Sequence, residues 1–212
     1  MSPDAAYDVP LVVMGVAGCG KSTIAAALAR RLGREFRDGD SFHSPDNVAK
    51  MARGEALTDQ DRTPWLEAIA AWLAASPGRI VACSALRKSY RDRLRAAGPL
   101  LFLYLDIAPS TARRRVAARH GHFMPASLID DQFATLERPT QDEPDVCSLD
   151  CEAPESVLIA RALSAVIGAR TPAADARPNQ LLAASPPARL SGADDGQRLT
   201  SSRWPAPRGP AR

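Results

Sequence analysis

Gly15-Val16-Ala17-Gly18-Cys19-Gly20-Lys21-Ser22 stands between an apolar run, Val9 to Met14, and a stretch with Ile24, Leu28 and Leu32 at helical spacing. A complete G-x-x-x-x-G-K-S in that setting is phosphate-binding chemistry. Glycines let the chain turn tightly enough for successive amide N–H groups to face one anion, and the helix that follows adds the positive end of its dipole. Lys21 then reaches the β- and γ-phosphates of a nucleoside triphosphate and Ser22 ligates Mg2+, with Thr23 beside it at the helix start. Cys19 fills a variable position of the loop and is not read as a catalytic thiol, although the electropositive helix start favours its oxidation.

A phosphate loop alone says only that a nucleoside triphosphate is bound, so Asp38-Gly39-Asp40 must help choose among kinases, GTPases and ATPases. They close a second short strand expected around Glu35 to Arg37, whose end lies beside the loop in a parallel α/β sheet. One carboxylate there can hold magnesium through water while the other takes the proton of an attacking hydroxyl. The same triplet alone also reads as a turn with solvated aspartates. Asp38 is assigned here to the metal shell and Asp40 to the proton, with the order of the pair left open by spacing.

The elements that must position these residues follow from periodicity and punctuation. Lys21 to Arg31 is helical. Ser44-Pro45 begins a helix over Asp46 to Met51 by the N-cap and first-position rule. A further helix spans Thr63 to Ala75, with Pro64 in its first turn and Trp65, Ile69 and Trp72 on one face; Ser76-Pro77-Gly78 stops it. Arg79 to Cys83 and Leu100 to Leu105 read as buried strands and Asp145 to Leu149 as a final one. Helices are expected over Lys88 to Ala97, Ser110 to Arg119, Ser127 to Leu136 and Pro154 to Ile167. Repeated strand-then-helix units imply a three-layer α/β/α fold with a mostly parallel five-stranded sheet, its site at the carboxyl ends of the strands.

Charge narrows the partners. The 212 residues carry a formal net charge of +3, but six arginines and three aspartates fall after position 170, and removing them from totals of 27 and 24 leaves the body neutral. Nucleic-acid binding needs a concentrated basic face, which this distribution lacks. No run of about 18 apolar residues suggests a membrane span, and the first residues lack the basic-then-apolar pattern of a secretory leader, so a cytoplasmic protein is expected. The four cysteines, Cys19, Cys83, Cys147 and Cys151, read as reduced packing residues. After Gly168 apolar periodicity disappears and seven of the eighteen prolines fall within 171–212. A kinase domain over 1–170 and a disordered tail over 171–212 are expected, since such a composition buries too little apolar surface to order itself.

The flanks of the acidic triplet carry a resemblance. The pattern D-G-D-x-x-H-x-x-x-N-x-x-K-M-x-x-G-x-x-L-x-D-x-D-R-x-P-W-L runs from Asp38 through His43, Asn47, Lys50, Met51, Gly54, Leu57, Asp59, Asp61, Arg62, Pro64 and Trp65 to Leu66. It is followed by Cys83-Ser84-Ala85-Leu86-Arg87-Lys88-Ser89-Tyr90-Arg91-Asp92, by Arg119-His120-Gly121-His122-Phe123, and by Gln132-Phe133-Ala134-Thr135-Leu136-Glu137 with Pro139 and Glu143. These blocks, spanning 11 to about 168, resemble the gluconokinase family of P-loop kinases. Two departures are visible: Arg87 stands where that family usually has lysine, a change that keeps charge but alters donor geometry, and the tail extends past the usual end.

The resemblance implies phosphorylation of D-gluconate by ATP with Mg2+, giving 6-phospho-D-gluconate, and it suggests a homodimer with a small helical lid. A sugar acid calls for cations at one end and hydrogen-bonding groups along its length. Among Lys50, Arg53, Arg62, Lys88 and Arg91, the reading favours Arg62 and Arg91 for the carboxylate, with His43 on a hydroxyl. Arg115 and Arg119 are placed at the lid, where arginines neutralise the transferred group and closure excludes water. Arg113 and Arg114 are read as solvated. Alternatives are a kinase of another hydroxylated acid such as shikimate or of a nucleoside monophosphate, and a nucleotide-dependent switch whose tail recruits a partner. The absence of an N-K-x-D motif argues against a GTPase.

Overall fold

A computed structural model describes residues 9–118 and 126–168; the expected tail, Arg119, His120 and His122 lie outside them. The strands are β1 Leu11–Met14, β2 Phe36–Asp38, β3 Ile80–Ala82, β4 Leu101–Asp106 and β5 Val146–Asp150. The helices are α1 Lys21–Leu32, α2 Pro45–Ala52, α3 Asp59–Ala74, α4 Lys88–Leu94, α5 Pro109–Ala117, α6 Ala126–Thr135 and α7 Glu155–Gly168. The sheet order is β2-β3-β1-β4-β5, and each neighbouring pair is parallel.

Near-continuous apolar runs form the three inner strands β3, β1 and β4, where both faces of the sheet are covered, while the edge strands β2 and β5 carry polar residues. Leu11, Val13, Ile80, Leu101, Leu103 and Leu105 point to one side, where they meet Ile24 and Leu28 of α1 and Leu158, Ile159 and Val166 of α7. The alternate residues Val12, Met14, Val81, Phe102 and Tyr104 point to the other, against Trp65, Leu66, Ile69 and Leu73 of α3 and Tyr90 and Leu94 of α4. The central β1 is flanked by β3 and β4, so the loop after β1 emerges where the strand order reverses, the usual place for a ligand in such sheets.

The largest departure from expectation is α3, which begins at Asp59 rather than Thr63. Thr58 and Asp61 form a reciprocal capping box: the Thr58 hydroxyl accepts from the Asp61 N–H at 3.2 Å, and the Asp61 carboxylate accepts from the Thr58 N–H at 2.8 Å. That cap outweighs the missing amide of Pro64, which therefore lies inside the helix rather than in its first turn. The Asp61 carbonyl also accepts from the buried Asn47 side chain at 2.8 Å, tying α2 to the start of α3. The expected helix over Lys88 to Ala97 ends at Leu94 and tightens into a 3-10 turn over Arg95–Ala97.

Candidate active site

The phosphate loop has the backbone that its glycines permit. Gly15, Gly18 and Gly20 have φ of 137°, 83° and 97°, and a Cβ at Gly15 or Gly18 would come within 2.8 Å of a neighbouring carbonyl oxygen. The Lys21 ammonium donates to the Val16 carbonyl at 3.1 Å, so it is folded back over its own loop. Cys19 corrects the sequence reading of its reactivity: it is buried, and loss of solvation raises its thiol pKa despite the nearby Lys21. Desolvation outweighs the positive helix start, and the thiol is a packing group.

β2 delivers the acidic triplet to this loop. The Ser22 hydroxyl donates to Asp38 Oδ2 at 2.6 Å, while Asp38 Oδ1 accepts from the backbone N–H of Asp40 at 3.1 Å. Both oxygens of Asp38 are thereby engaged, and Asp38 caps the 3-10 turn Gly39–Phe42 that carries Asp40. The carboxylate of Asp40 lies exposed and makes no hydrogen bond among the described residues. The turn needs glycine for a steric reason, since a Cβ at Gly39 would sit 2.5 Å from the Ala82 carbonyl at the end of β3.

Trp65 of α3 completes the support, and its role was hidden in a residue that sequence periodicity treats as core. Its buried indole N–H donates to the Gly39 carbonyl at 2.7 Å, and its ring stacks on the His43 imidazole with centroids 4.5 Å apart and planes 9° from parallel. His43 Nδ1 is buried without a partner. Burial lowers the His43 pKa, opposed by Asp40 and reinforced by Arg62. The imidazole is thus neutral at ordinary pH, with one donor and one acceptor fixed against the tryptophan face.

The expected cations divide. Arg62 lies near His43 and over the Tyr90 ring, with its guanidinium 3.4 Å from the Tyr90 hydroxyl and 3.6 Å from Asp59. Arg91, favoured from sequence for a substrate carboxylate, is instead 1 % exposed and locked to Glu143 through bonds of 2.7 and 2.6 Å. Its remaining nitrogen donates to the carbonyls of Ala85, Leu86 and Glu137. Buried to this extent, the guanidinium has no open face for a ligand, so that assignment is overturned: a guanidinium one turn into a short helix reads as a ligand cation until the chain brings a distant glutamate over it. Lys50 is held by both oxygens of Asp61 at 2.9 Å, and Lys88 forms an exposed helix-face pair with Asp92 at 2.9 Å. Neither is a free cation at the site. Arg53 is likewise paired, with Glu55, and Arg115 is turned to the Cys151 carbonyl at 2.9 Å.

Two further contacts close around the loop. Gly15 N–H donates to the Ser84 carbonyl at 3.2 Å, which binds the end of β3 to the loop. Gln132 of α6 accepts from the Ala17 N–H at 2.7 Å. Spacing offered no signal for Gln132, because it lies 115 residues from its partner.

Comparison with known proteins agrees with this geometry. The family profile described as shikimate kinase matches residues 17–139. A gluconokinase of Gluconobacter oxydans is 50% identical over 139 residues, covering 63% of this chain and 78% of the relative. The thermoresistant gluconokinase of Escherichia coli is 41% identical over 160 residues, covering 73% and 91%. The crystal structure of a gluconokinase from Sinorhizobium meliloti superposes with a TM-score of 0.72 at 41% identity, covering 77% of this chain and 94% of that one. With a shikimate-kinase-like sheet, a phosphate loop joined to an acidic turn, and relatives at this identity over most of their length, the chain belongs to the gluconokinase family of P-loop kinases.

Proposed function

We propose that the protein transfers the γ-phosphoryl group of ATP to the C6 hydroxyl of D-gluconate, giving 6-phospho-D-gluconate and ADP. The observation that carries this reading is the 2.6 Å hydrogen bond between Ser22 and Asp38, which joins the phosphate loop to an acidic turn. An oxygen pair at the first turn of α1 suits a hard divalent cation. Ser22 and Asp38 would hold Mg2+, which supplies charge neutralisation on the β- and γ-oxygens when bound.

The remaining roles follow from which groups are spent and which are free. Asp38 is committed through both oxygens, whereas the Asp40 carboxylate is open to solvent, so Asp40 is the residue that orients the attacking hydroxyl and collects its proton. Lys21 spans the transferred phosphoryl group. His43, stacked on Trp65, is the proposed contact for a substrate hydroxyl, and Arg62, whose contacts to Tyr90 and Asp59 are long at 3.4 and 3.6 Å, is the proposed cation for the carboxylate. Arg119 is retained as a proposed phosphate contact on the strength of the sequence reading alone. Since ATP and free sugar acids are metabolites of the cytoplasm, this reading gives the protein a cytoplasmic setting; no helix among the described residues is long and apolar enough to cross a membrane.

An acceptor panel tests the proposal. With ATP and Mg2+, ADP release should depend on gluconate and remain at background with shikimate, with nucleoside monophosphates or with no acceptor. Shikimate-dependent turnover would move the protein to another branch of the same fold, and acceptor-independent hydrolysis would favour the switch reading. A second expectation concerns the turn. Gly39→Ala forces Asp40 away from the end of β3, and a displacement of about 1 Å at reacting groups lowers turnover by about 10²-fold. Steady-state kinetics should locate that loss in kcat, with ATP affinity close to wild type.

A further inference from the structure

The peptide unit between Val16 and Ala17 is gripped at both ends. Its carbonyl accepts from the Lys21 ammonium at 3.1 Å and from the Cys19 N–H at 3.4 Å, while its N–H donates to Gln132 Oε1 at 2.7 Å. A peptide is planar, so a hydrogen bond that fixes the N–H direction also fixes the opposite direction of the carbonyl. We infer that Gln132 is a positioning residue for phosphoryl transfer: by holding the Ala17 N–H outward it keeps the Val16 carbonyl aimed at Lys21, and so sets where the ammonium rests above the loop.

The neighbouring geometry explains why a separate anchor is required. A flip of this peptide turns on ψ of Val16 and φ of Ala17 and can occur without displacing the glycines on either side. The next residue along is fixed from another direction, because α5 packs so closely that a Cβ at Gly18 would lie 2.8 Å from the Ala112 carbonyl. Without the glutamine, the Ala17 N–H loses its acceptor and the peptide can turn over. That would remove the Val16 carbonyl from Lys21 and return the ammonium to solvent, where its flexible four-carbon stem has many conformations. Gln132 itself is half-buried on α6, outside the phosphate loop in sequence, and the hydrogen bond it makes among the described residues is to a backbone amide.

This inference rests on the nucleotide role proposed for Gly15–Ser22, but its test does not require gluconate turnover. Gln132→Met keeps the length of the side chain and removes the acceptor; Gln132→Glu keeps an acceptor oxygen. Loss of one hydrogen bond that positions a charged group should lower ATP affinity, and kcat/KM for ATP, by about tenfold in Gln132→Met, with KM for gluconate unchanged and a thermal midpoint lowered by no more than about 4 °C. Gln132→Glu should recover part of the loss, most visibly at high salt, where its added charge is screened.

The decisive measurement is a double-mutant cycle on ATP binding with Lys21→Met. If Gln132 acts through Lys21, adding Gln132→Met in the K21M background changes the dissociation constant by less than about twofold. An equal loss in both backgrounds overturns the inference, as does wild-type behaviour of Gln132→Met or a thermal midpoint that falls in parallel with every kinetic parameter. Failure of the acceptor panel with an intact cycle would instead count against the gluconate assignment alone.

Discussion

Asp40→Asn is expected to lower kcat for gluconate phosphorylation by about 10²- to 10⁴-fold, the range over which a positioned proton acceptor acts, while ATP binding is largely retained. The substitution preserves size and leaves the turn intact, because the contact that holds this residue is its backbone N–H on Asp38 rather than its side chain. What disappears is the single open carboxylate of the triplet. In a loose phosphoryl-transfer transition state the proton leaves the attacking oxygen late, so much of the effect comes from losing an acceptor that orients the hydroxyl. Steady-state and single-turnover kinetics with gluconate would measure it; full activity in Asp40→Asn would remove Asp40 from this role. Asp38→Asn offers a contrast, since its defect should track magnesium concentration.

The other large effect is on stability. Arg91→Met leaves Glu143, whose side chain is 2 % exposed, with one remaining cation, Arg95, at 2.9 Å. It also removes the side-chain donor from the carbonyls of Ala85 and Glu137. Breaking a buried pair from one side typically costs 3–5 kcal/mol, and the residual contact to Arg95 puts the expectation near the lower end, at about 3 kcal/mol. For a domain of this size that corresponds to a thermal midpoint lowered by roughly 10 °C. Arg91→Lys should recover only part, because an ammonium keeps the charge but cannot serve both carboxylate oxygens and three carbonyls.

The pair also has a pH signature. Hydrogen bonding from Arg91 depresses the Glu143 pKa below its ordinary 4.5, so its contribution is fully present above that value and is lost as pH falls through the depressed one. Wild type should therefore lose stability on acidification through this window more steeply than Arg91→Met. A variant with an unchanged thermal midpoint but a severalfold higher KM for gluconate would return Arg91 to the substrate carboxylate.

Arg91 also shows why local pattern stops short. A basic residue beside Tyr90 on a short helix has the same appearance in sequence whether it faces a ligand or a buried glutamate. The choice depends on where the α6–β5 connection brings Glu143, 52 residues away. Trp65 has the same ambiguity: its position on the apolar face of α3 is legible as core, and it is core, but its indole N–H is also what holds Gly39. The start of α3 was legible in principle, since Thr58 and Asp61 have capping-box spacing, and was obscured by Pro64, whose usual place is a first turn.

Local chemistry was enough to establish the phosphate loop, the alternation of buried strands and helices, the acidic triplet and the family, because each depends on residue types a few positions apart. Tertiary contact decided the rest. It separated the two aspartates by spending Asp38 on Ser22, withdrew Arg91 from the site, kept Cys19 unreactive by burial, and brought Gln132 to the loop. The physical reason is common to all four: desolvation and the commitment of hydrogen-bonding groups are set by neighbours distant in the chain, so whether a polar side chain remains available is a property of the folded protein.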